Sequence, residues 1–447
     1  MDNSEITGPY RFDYLLIISF ITLTAFGILT IYSAGSGTGN VRSSESLHIK
    51  QMYWALTGIA IFIALLFINY QKLGKYAFII YVAGVLILIV TLLFGKRVRG
   101  AKSWITLFKG FGFQPSEFVK IALIVTLARF LERIGEEIKK FKYVMLSFVI
   151  ILLPTGLVLL QPDFGTALVY IPVGLIMLFF AGMKYSHLVS FLIIFTIAIS
   201  LPLMTTFSKL TQSTTFSFLR MLDDTRVVLS IAMLFGILSF ISFILFKIIK
   251  KDLIFKATNI FLIFFTGLVL SAVLGRYLKP YQKERLIVFL KPTIDPFGSG
   301  YNIIQSKIAV GAGGLFGKGL LGGTQSQLGF LPERSTDFIF SIFAEEWGFV
   351  GSFFLLALFG FFIYRGIMII YTTKDLFGHL LAAGIVSMFL FHIIINIGMT
   401  IGVMPITGIP LPFMSYGGSF LLTCMAGASI LFNIEMRRYV PVSYTHL

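Results

Sequence analysis

DPFGSGYNIIQSKIAVGAGGLFGKGLLGGTQSQLGFLPERSTDFIFSIFAEE (residues 295–346) is the one long run of this 447-residue chain in which glycine, amide, hydroxyl and charged side chains crowd together. Most of the sequence around it falls into apolar pieces of membrane length. The contrast decides the fold: a bundle of helices in lipid, interrupted by one ordered polar segment where chemistry should be sought. The run ends in Pro332-Glu333-Arg334-Ser335-Thr336-Asp337, and from Phe338 the chain is apolar again, broken only by Glu345 and Glu346. Asp337 therefore stands where a loop dives into a hydrophobic helix, with Ser335 or Thr336 expected as the N-cap.

Composition agrees. The chain is 57% hydrophobic and 13% charged, against roughly a quarter charged in soluble domains, and its mean hydropathy is +0.91. Three acids and one arginine precede the first apolar run, which is about twenty residues long, so a retained helix is expected rather than a cleaved leader. The single cysteine, Cys424, lies in an apolar run and excludes an internal disulfide or a cysteine-cluster metal site. The net charge of +16 suits basic cytoplasmic loops, and nucleic acid is not an expected partner.

Apolar stretches near twenty residues long predict helices at 14–34, 52–69, 76–94, 117–133, 143–160, 166–182, 187–204, 227–247, 257–275, 338–364, 379–403 and 412–433. The expected fold is all-α and polytopic, residues 1–447 forming one integral membrane domain with both termini cytoplasmic. That orientation puts Lys72 and Lys75, then Arg133, Lys139, Lys140 and Lys142, then Lys184, then Lys247, Lys250, Lys251 and Lys256, and finally Arg437 and Arg438 inside. One outer loop, 95–116, breaks the rule with Lys96, Arg97, Arg99, Lys102 and Lys109. Its Trp104 and neighbouring phenylalanines suggest an interfacial loop suited to a lipid phosphate. Contact with anionic headgroups, or a different topology, is the plainer alternative.

Three smaller polar breaks carry candidates. Glu117 and Lys120 share a helix face at the start of the fourth span, as a functional pair or as an ion pair snorkelling to the interface. Gln161-Pro162-Asp163 forms a tight turn in which Asp163 is a turn or cap residue. Prolines and glycines from Met404 to Ser419 either line a cavity or kink the last helices. Residues 205–226 read as a Ser/Thr-rich outer loop. Residues 312–319, AGGLFGKG, resemble a P-loop but lack its first glycine and its Ser/Thr, so ATP binding is excluded and tight turns are expected.

Taken together, GYNIIQSKIAVGAGGLFGKG (300–319), GTQSQLGFLPERSTDFIF (323–340), AEEWGFVG (344–351) and LPFMSYGGS (411–419) resemble the SEDS family (shape, elongation, division and sporulation). GAKSWI (100–105), QPSEFVK (114–120) and QPDFGT (161–166) add to the match, and GTQSQL with FLPER makes the chain RodA-like more than FtsW-like. The resemblance implies a fold of ten helices, so the hairpin at 227–275 reads as an insertion of two and 276–337 as the large extracellular loop. It implies a peptidoglycan glycosyltransferase of the bacterial cytoplasmic membrane that polymerises lipid II on the outer face, beside a class B penicillin-binding transpeptidase and other elongation-complex membrane proteins. The family's essential acid falls on Asp337, its loop tryptophan on Trp104, and its paired polar residues on Glu117 and Lys120. Ser335 stands where the family usually has histidine.

The implied reaction needs a base for the attacking 4-hydroxyl and positive charge for the departing pyrophosphate. Asp337 fits the base, or alternatively holds a divalent cation (Mg or Mn), the one cofactor left open. Candidates for contact with substrate are Trp104, Arg97, Arg99, Lys102, Glu117, Lys120, Gln161, Asp163, Gln305, Lys307, Lys318, Gln325, Glu333, Arg334, Thr336 and Ser415. A division polymerase, a lipid II flippase and a non-catalytic scaffold are the competing readings. A flippase should carry polar residues at mid-depth on several helices.

Overall fold

The computed structural model describes residues 13–36, 47–98, 101–108, 111–211, 222, 224–277, 295, 298 and 300–437. Arg99, Lys109, Arg438, residues 212–221 and 223 of the 205–226 loop, residues 278–294 of the 276–337 loop and the C-terminal tail lie outside the described residues.

Each of the twelve expected spans corresponds to one helix: α1 (Tyr14–Gly35), α2 (Leu47–Phe67), α3 (Tyr70–Phe94), α4 (Pro115–Ile134), α5 (Phe141–Leu160), α6 (Phe164–Phe180), α7 (Tyr185–Thr211), α8 (Thr225–Ile249), α9 (Asp252–Tyr277), then, after the short helices α10 (Tyr301–Ala312) and α11 (Thr324–Gln327), α12 (Ile339–Thr372), α13 (Leu376–Ile401) and α14 (Gly418–Arg437). Ten are long and apolar enough to cross a membrane. Of the other two, α6 has only 17 residues, and α4 carries Glu117, Lys120, Arg129, Glu132 and Arg133. The expected loop at 205–226 begins later than predicted, because α7 continues to Thr211.

Local chemistry sets the helix starts. Pro115 opens α4, where its missing N–H costs nothing. Asp163 accepts from the Thr166 N–H at 3.2 Å to cap α6, and Asp375 accepts from the Gly378 N–H at 2.7 Å to cap α13. The 95–116 loop departs from the all-α expectation. It is an antiparallel meander of β1 (Lys96–Val98), β2 (Ala101–Phe108) and β3 (Phe111–Phe113), with Lys96 opposite Trp104 and Thr106 opposite Gly112.

The chain, read from sequence as one domain, packs as two compact units. In the unit Lys184–Ile304, α8 and α9 form a hairpin packed along α7, with Val228, Ala232 and Leu268 at its core. In the unit Met1–Met183 with Gln305–Leu447, α13 and α14 are central: 83% and 89% of their spans are buried, against 22% for α2. A helix apolar all round belongs in a core, and these two hold the loop that shapes the candidate site.

Within the same unit α12 is broken. Gly348 adopts φ 65° and ψ −162°, which interrupts the helical ladder and strips carbonyls 345 and 346 and amides 349 and 350 of helical partners. The glycine-rich loop supplies replacements. Lys318 N–H donates to Glu345 O at 3.0 Å and Gly319 N–H to Glu346 O at 3.0 Å, while Phe349 N–H donates to Gly314 O at 2.8 Å and Val350 N–H to Leu315 O at 3.0 Å. A Cβ at Gly317 would overlap the Glu346 carbonyl, and one at Gly348 would overlap the Gly317 amide. The glycines let two backbones touch.

Candidate functional site

Asp337 does not begin a capped helix. The first residue of α12 is Ile339 and its N-cap is Phe338, without a side-chain cap bond. Ser335 and Thr336, expected as caps, lie in a preceding turn built on the carbonyl of Glu333, whose φ is +53°. The amides of Thr336, Asp337 and Phe338 all point at that oxygen, at 3.2, 3.1 and 3.3 Å. Thr336 also donates its hydroxyl to Glu333 Oε2 at 3.3 Å. The sequence signal misled because a Ser/Thr before an apolar run marks either an N-cap or a turn.

The turn is pinned from outside by its own carbonyls. Tyr416 N–H donates to Ser335 O at 2.8 Å, Ser415 Oγ to Thr336 O at 2.6 Å, and Asn396 Nδ2 to Asp337 O at 2.9 Å. Three consecutive carbonyls thus meet three different donors. The donors come from α13 and from the loop between α13 and α14, in which residues 411–415 are buried. Asn396 Nδ2 also reaches Ile409 O at 2.7 Å, Ser415 Oγ accepts from Leu411 N–H at 2.8 Å, and Gln51 Nε2 donates to Ser415 O at 3.1 Å. Gly408, at φ +71°, sits so close that a Cβ there would lie 3.3 Å from Asp337 Oδ2.

A second polar group lies one turn of α13 away. Lys120 Nζ is 2.7 Å from Glu117 Oε2 and 3.0 Å from His392 Nε2, and His392 Nδ1 is 3.1 Å from Pro410 O. A carbonyl only accepts, so Nδ1 carries the proton and Nε2 accepts from the lysine. Glu117 and Lys120 are 4% and 2% exposed: the pair is buried in the unit and does not snorkel. Asp163, besides capping α6, accepts from Gln114 Nε2 at 2.7 Å, and its neighbour Gly165 has no room for a Cβ beside the Thr407 carbonyl. The starts of α4 and α6 therefore abut the same loop that approaches Asp337.

The remaining candidates are placed as follows. Lys318 Nζ lies 2.9 Å from Glu345 Oε1, which also accepts from Thr324 Oγ1 at 2.9 Å and the Gln325 N–H at 3.1 Å. Lys318, Gln325 and the wholly buried Glu345 form a latch at the α12 break, and Ser33 of α1 bonds Glu346 beside it. Trp104 packs over Gly112 in the meander. Lys102 donates its ammonium to Leu93 O at 2.7 Å and its N–H to Gln161 O at 3.1 Å, and Gln161 reaches Leu88 O at 2.9 Å. Arg97 is exposed on β1, and Lys307 lies exposed on α10 with its stem 3.0 Å from a Cβ position at Gly402. Gln305 is half-buried on α10. Burial lowers the Arg334 guanidinium from its ordinary value, yet arginine keeps its charge.

Asn396, His392, Gln51 and the latch role of Glu345 were not read from the sequence. Asn396 and His392 lie within the 26-residue, largely apolar α13, and their spacing of four, which puts both on one face, was the available signal. Among the described residues no group of three or more His, Cys, Asp or Glu is arranged to hold a metal ion.

Comparison with known proteins places this geometry. The profile of the family described as "Cell cycle protein" (FTSW_RODA_SPOVE) matches residues 13–227 and 227–440. The chain is 40% identical over 446 residues to the peptidoglycan glycosyltransferase RodA of Treponema pallidum (strain Nichols), spanning 97% of this chain and 100% of that one. It is 32% identical to the stage V sporulation protein E of Bacillus subtilis (strain 168), over 95% and 96% of the two chains, and 32% identical to the peptidoglycan glycosyltransferase MrdB of Escherichia coli (strain K12), over 95% and 94%. Among solved structures, a chain of a peptidoglycan synthase complex that coordinates polymerization and crosslinking superposes with a TM-score of 0.69 at 28% identity, covering 96% of this chain and 99% of that one. RodA of Thermus thermophilus gives 0.60 at 24% identity, covering 96% and 98%, a likeness of fold.

Proposed function

We infer the activity from descent: the chain belongs to the family of FtsW, RodA and SpoVE, and it is a peptidoglycan glycosyltransferase of the elongation type. The observation that carries this is the 40% identity to a RodA along essentially the whole of both chains. Its substrate is lipid II, polymerised into glycan strands at the outer face of the bacterial cytoplasmic membrane, and its partner is a class B penicillin-binding transpeptidase. Support for a partner comes from the synthase complex that the fold matches. The basic residues of alternate loops favour cytoplasmic termini, which puts Asp337 outside.

In the step we assign, the 4-hydroxyl oxygen of the acceptor sugar attacks the anomeric carbon of the donor. The new O–C bond forms as the bond to pyrophosphate breaks, with inversion. Asp337 takes the hydroxyl proton, a role worth about 10²–10⁴ in rate. The undecaprenyl pyrophosphate leaves with its charge met by cations. We assign this work first to Arg334, three residues before Asp337, and then to the exposed Lys307 and Arg97. A divalent cation is the rival use of Asp337. Magnesium sites are often made of one or two carboxylates completed by substrate phosphates.

The test is polymer formation from labelled lipid II by the purified protein with its transpeptidase, wild type beside Asp337→Ala, each with and without chelator. Polymer from wild type alone, indifferent to chelator, supports the base. Loss of wild-type polymer in chelator, restored by Mg²⁺ or Mn²⁺, transfers Asp337 to a metal role. Equal polymer from both proteins ends the catalytic reading.

A further inference from the structure

Asn396 is fully buried on α13, and its side-chain amide has two hydrogens to give. Both are used: one on Asp337 O at 2.9 Å, the other on Ile409 O at 2.7 Å. Two carbonyls fix which end of the amide faces them, since only the NH₂ donates. Neither carbonyl lies within a helix or strand. One belongs to the residue read as the base; the other follows Gly408, where a Cβ would lie 3.3 Å from Asp337 Oδ2. One side chain therefore ties the backbone of Asp337 itself to this loop.

We propose that Asn396 is the positioning residue of Asp337, holding its carboxylate in register with the 408–410 backbone. The inference rests on the catalytic reading of Asp337 and extends it to a residue that touches neither substrate nor proton. The turn keeps two other external anchors, Tyr416 N–H on Ser335 and Ser415 Oγ on Thr336. Removing Asn396 leaves those two anchors while taking away the donor on the carbonyl of Asp337 itself. Misplacing a reacting group by about 1 Å costs on the order of 10²-fold in rate, and the loss belongs in kcat rather than KM because ground-state binding of lipid II is untouched.

The experiment measures kcat, KM for lipid II and the thermal midpoint of the protein with its transpeptidase, for wild type, Asn396→Ala, Asn396→Asp, Asn396→Ser and Asp337→Ala. Asn396→Asp keeps the shape but turns oxygen toward both carbonyls. Asn396→Ser restores one donor. Expected is a fall in kcat of about 10- to 100-fold for Ala and Asp, a smaller fall for Ser, and KM within about threefold throughout. Wild-type kcat in Asn396→Ala beside an inactive Asp337→Ala overturns the positioning role and leaves the base standing. Full activity in Asp337→Ala removes the base and the positioning role together. Equal losses in Ala, Asp and Ser that track the thermal midpoint assign Asn396 to packing. Should Ala and Asp fail to fold, wild-type kcat in the Ser variant overturns the proposal.

Discussion

At residues 318–325 the pinning group is a carboxylate and the pinned groups are donors; at residues 335–337 the pinning groups are donors and the pinned groups are carbonyls. Glu345 receives Lys318, Thr324 and the Gln325 amide on its two oxygens, wholly buried. Asp337 is held instead through its backbone, N–H to Glu333 O and C=O to Asn396. The two acids lie eight positions apart in one motif-rich stretch, yet one serves as an anchor and the other is anchored. Glu345 organises its loop through its carboxylate, whereas the backbone of Asp337 is itself held on both sides.

This contrast predicts a crossed pattern. Asp337→Ala should cut polymer formation about 10²–10⁴-fold, some 3–5 kcal/mol in the barrier, with a smaller fall in thermal midpoint than Glu345→Ala; an equal or larger fall would make Asp337 an anchor too. Glu345→Ala should do the reverse, costing roughly 3 kcal/mol of stability by stripping the latch of its buried acceptor, read as a lower thermal midpoint, while kcat per folded molecule falls less than for Asp337→Ala. Gly317→Val tests the same latch from the loop. Its φ of +79° and the overlap with Glu346 O should cost about 1–3 kcal/mol, measured as reduced protease resistance of the 313–325 loop. Ser415→Ala, which loses one bond given and one received, should cost about 1–2 kcal/mol and lower kcat about tenfold with KM held. A KM effect instead would move Ser415 from the clamp to the substrate.

Much of the frame was legible because lipid enforces it: a span must be long, apolar and internally hydrogen-bonded, so each predicted stretch became a helix. Asp163 as a cap was legible too, since Asp before a helix has few other uses. What was missed has two causes. The β-meander and the Glu333 turn are local, with Thr106 opposite Gly112 and three amides on Glu333 O, but short apolar runs and a Ser/Thr before an apolar run are ambiguous signals; the clamps on the turn instead come from far along the chain, Asn396 reaching back to Asp337 and Tyr416 to Ser335. Local pattern cannot register such pairings. The glycine run predicted tight turns correctly, but the reason for its composition, a close approach to the α12 break, lay in the later stretch 344–350.

The break at Gly348 bears on the order in which the molecule is built. The bonds that replace its helical ladder come from Gly314, Leu315, Lys318 and Gly319, so the backbone of the bend is satisfied from outside α12. A segment of this apolarity entering a bilayer by itself has every reason to form a straight, unbroken helix, which satisfies its own amides at once. The bonds that complete the bend are therefore available only where the 313–319 loop is docked against it.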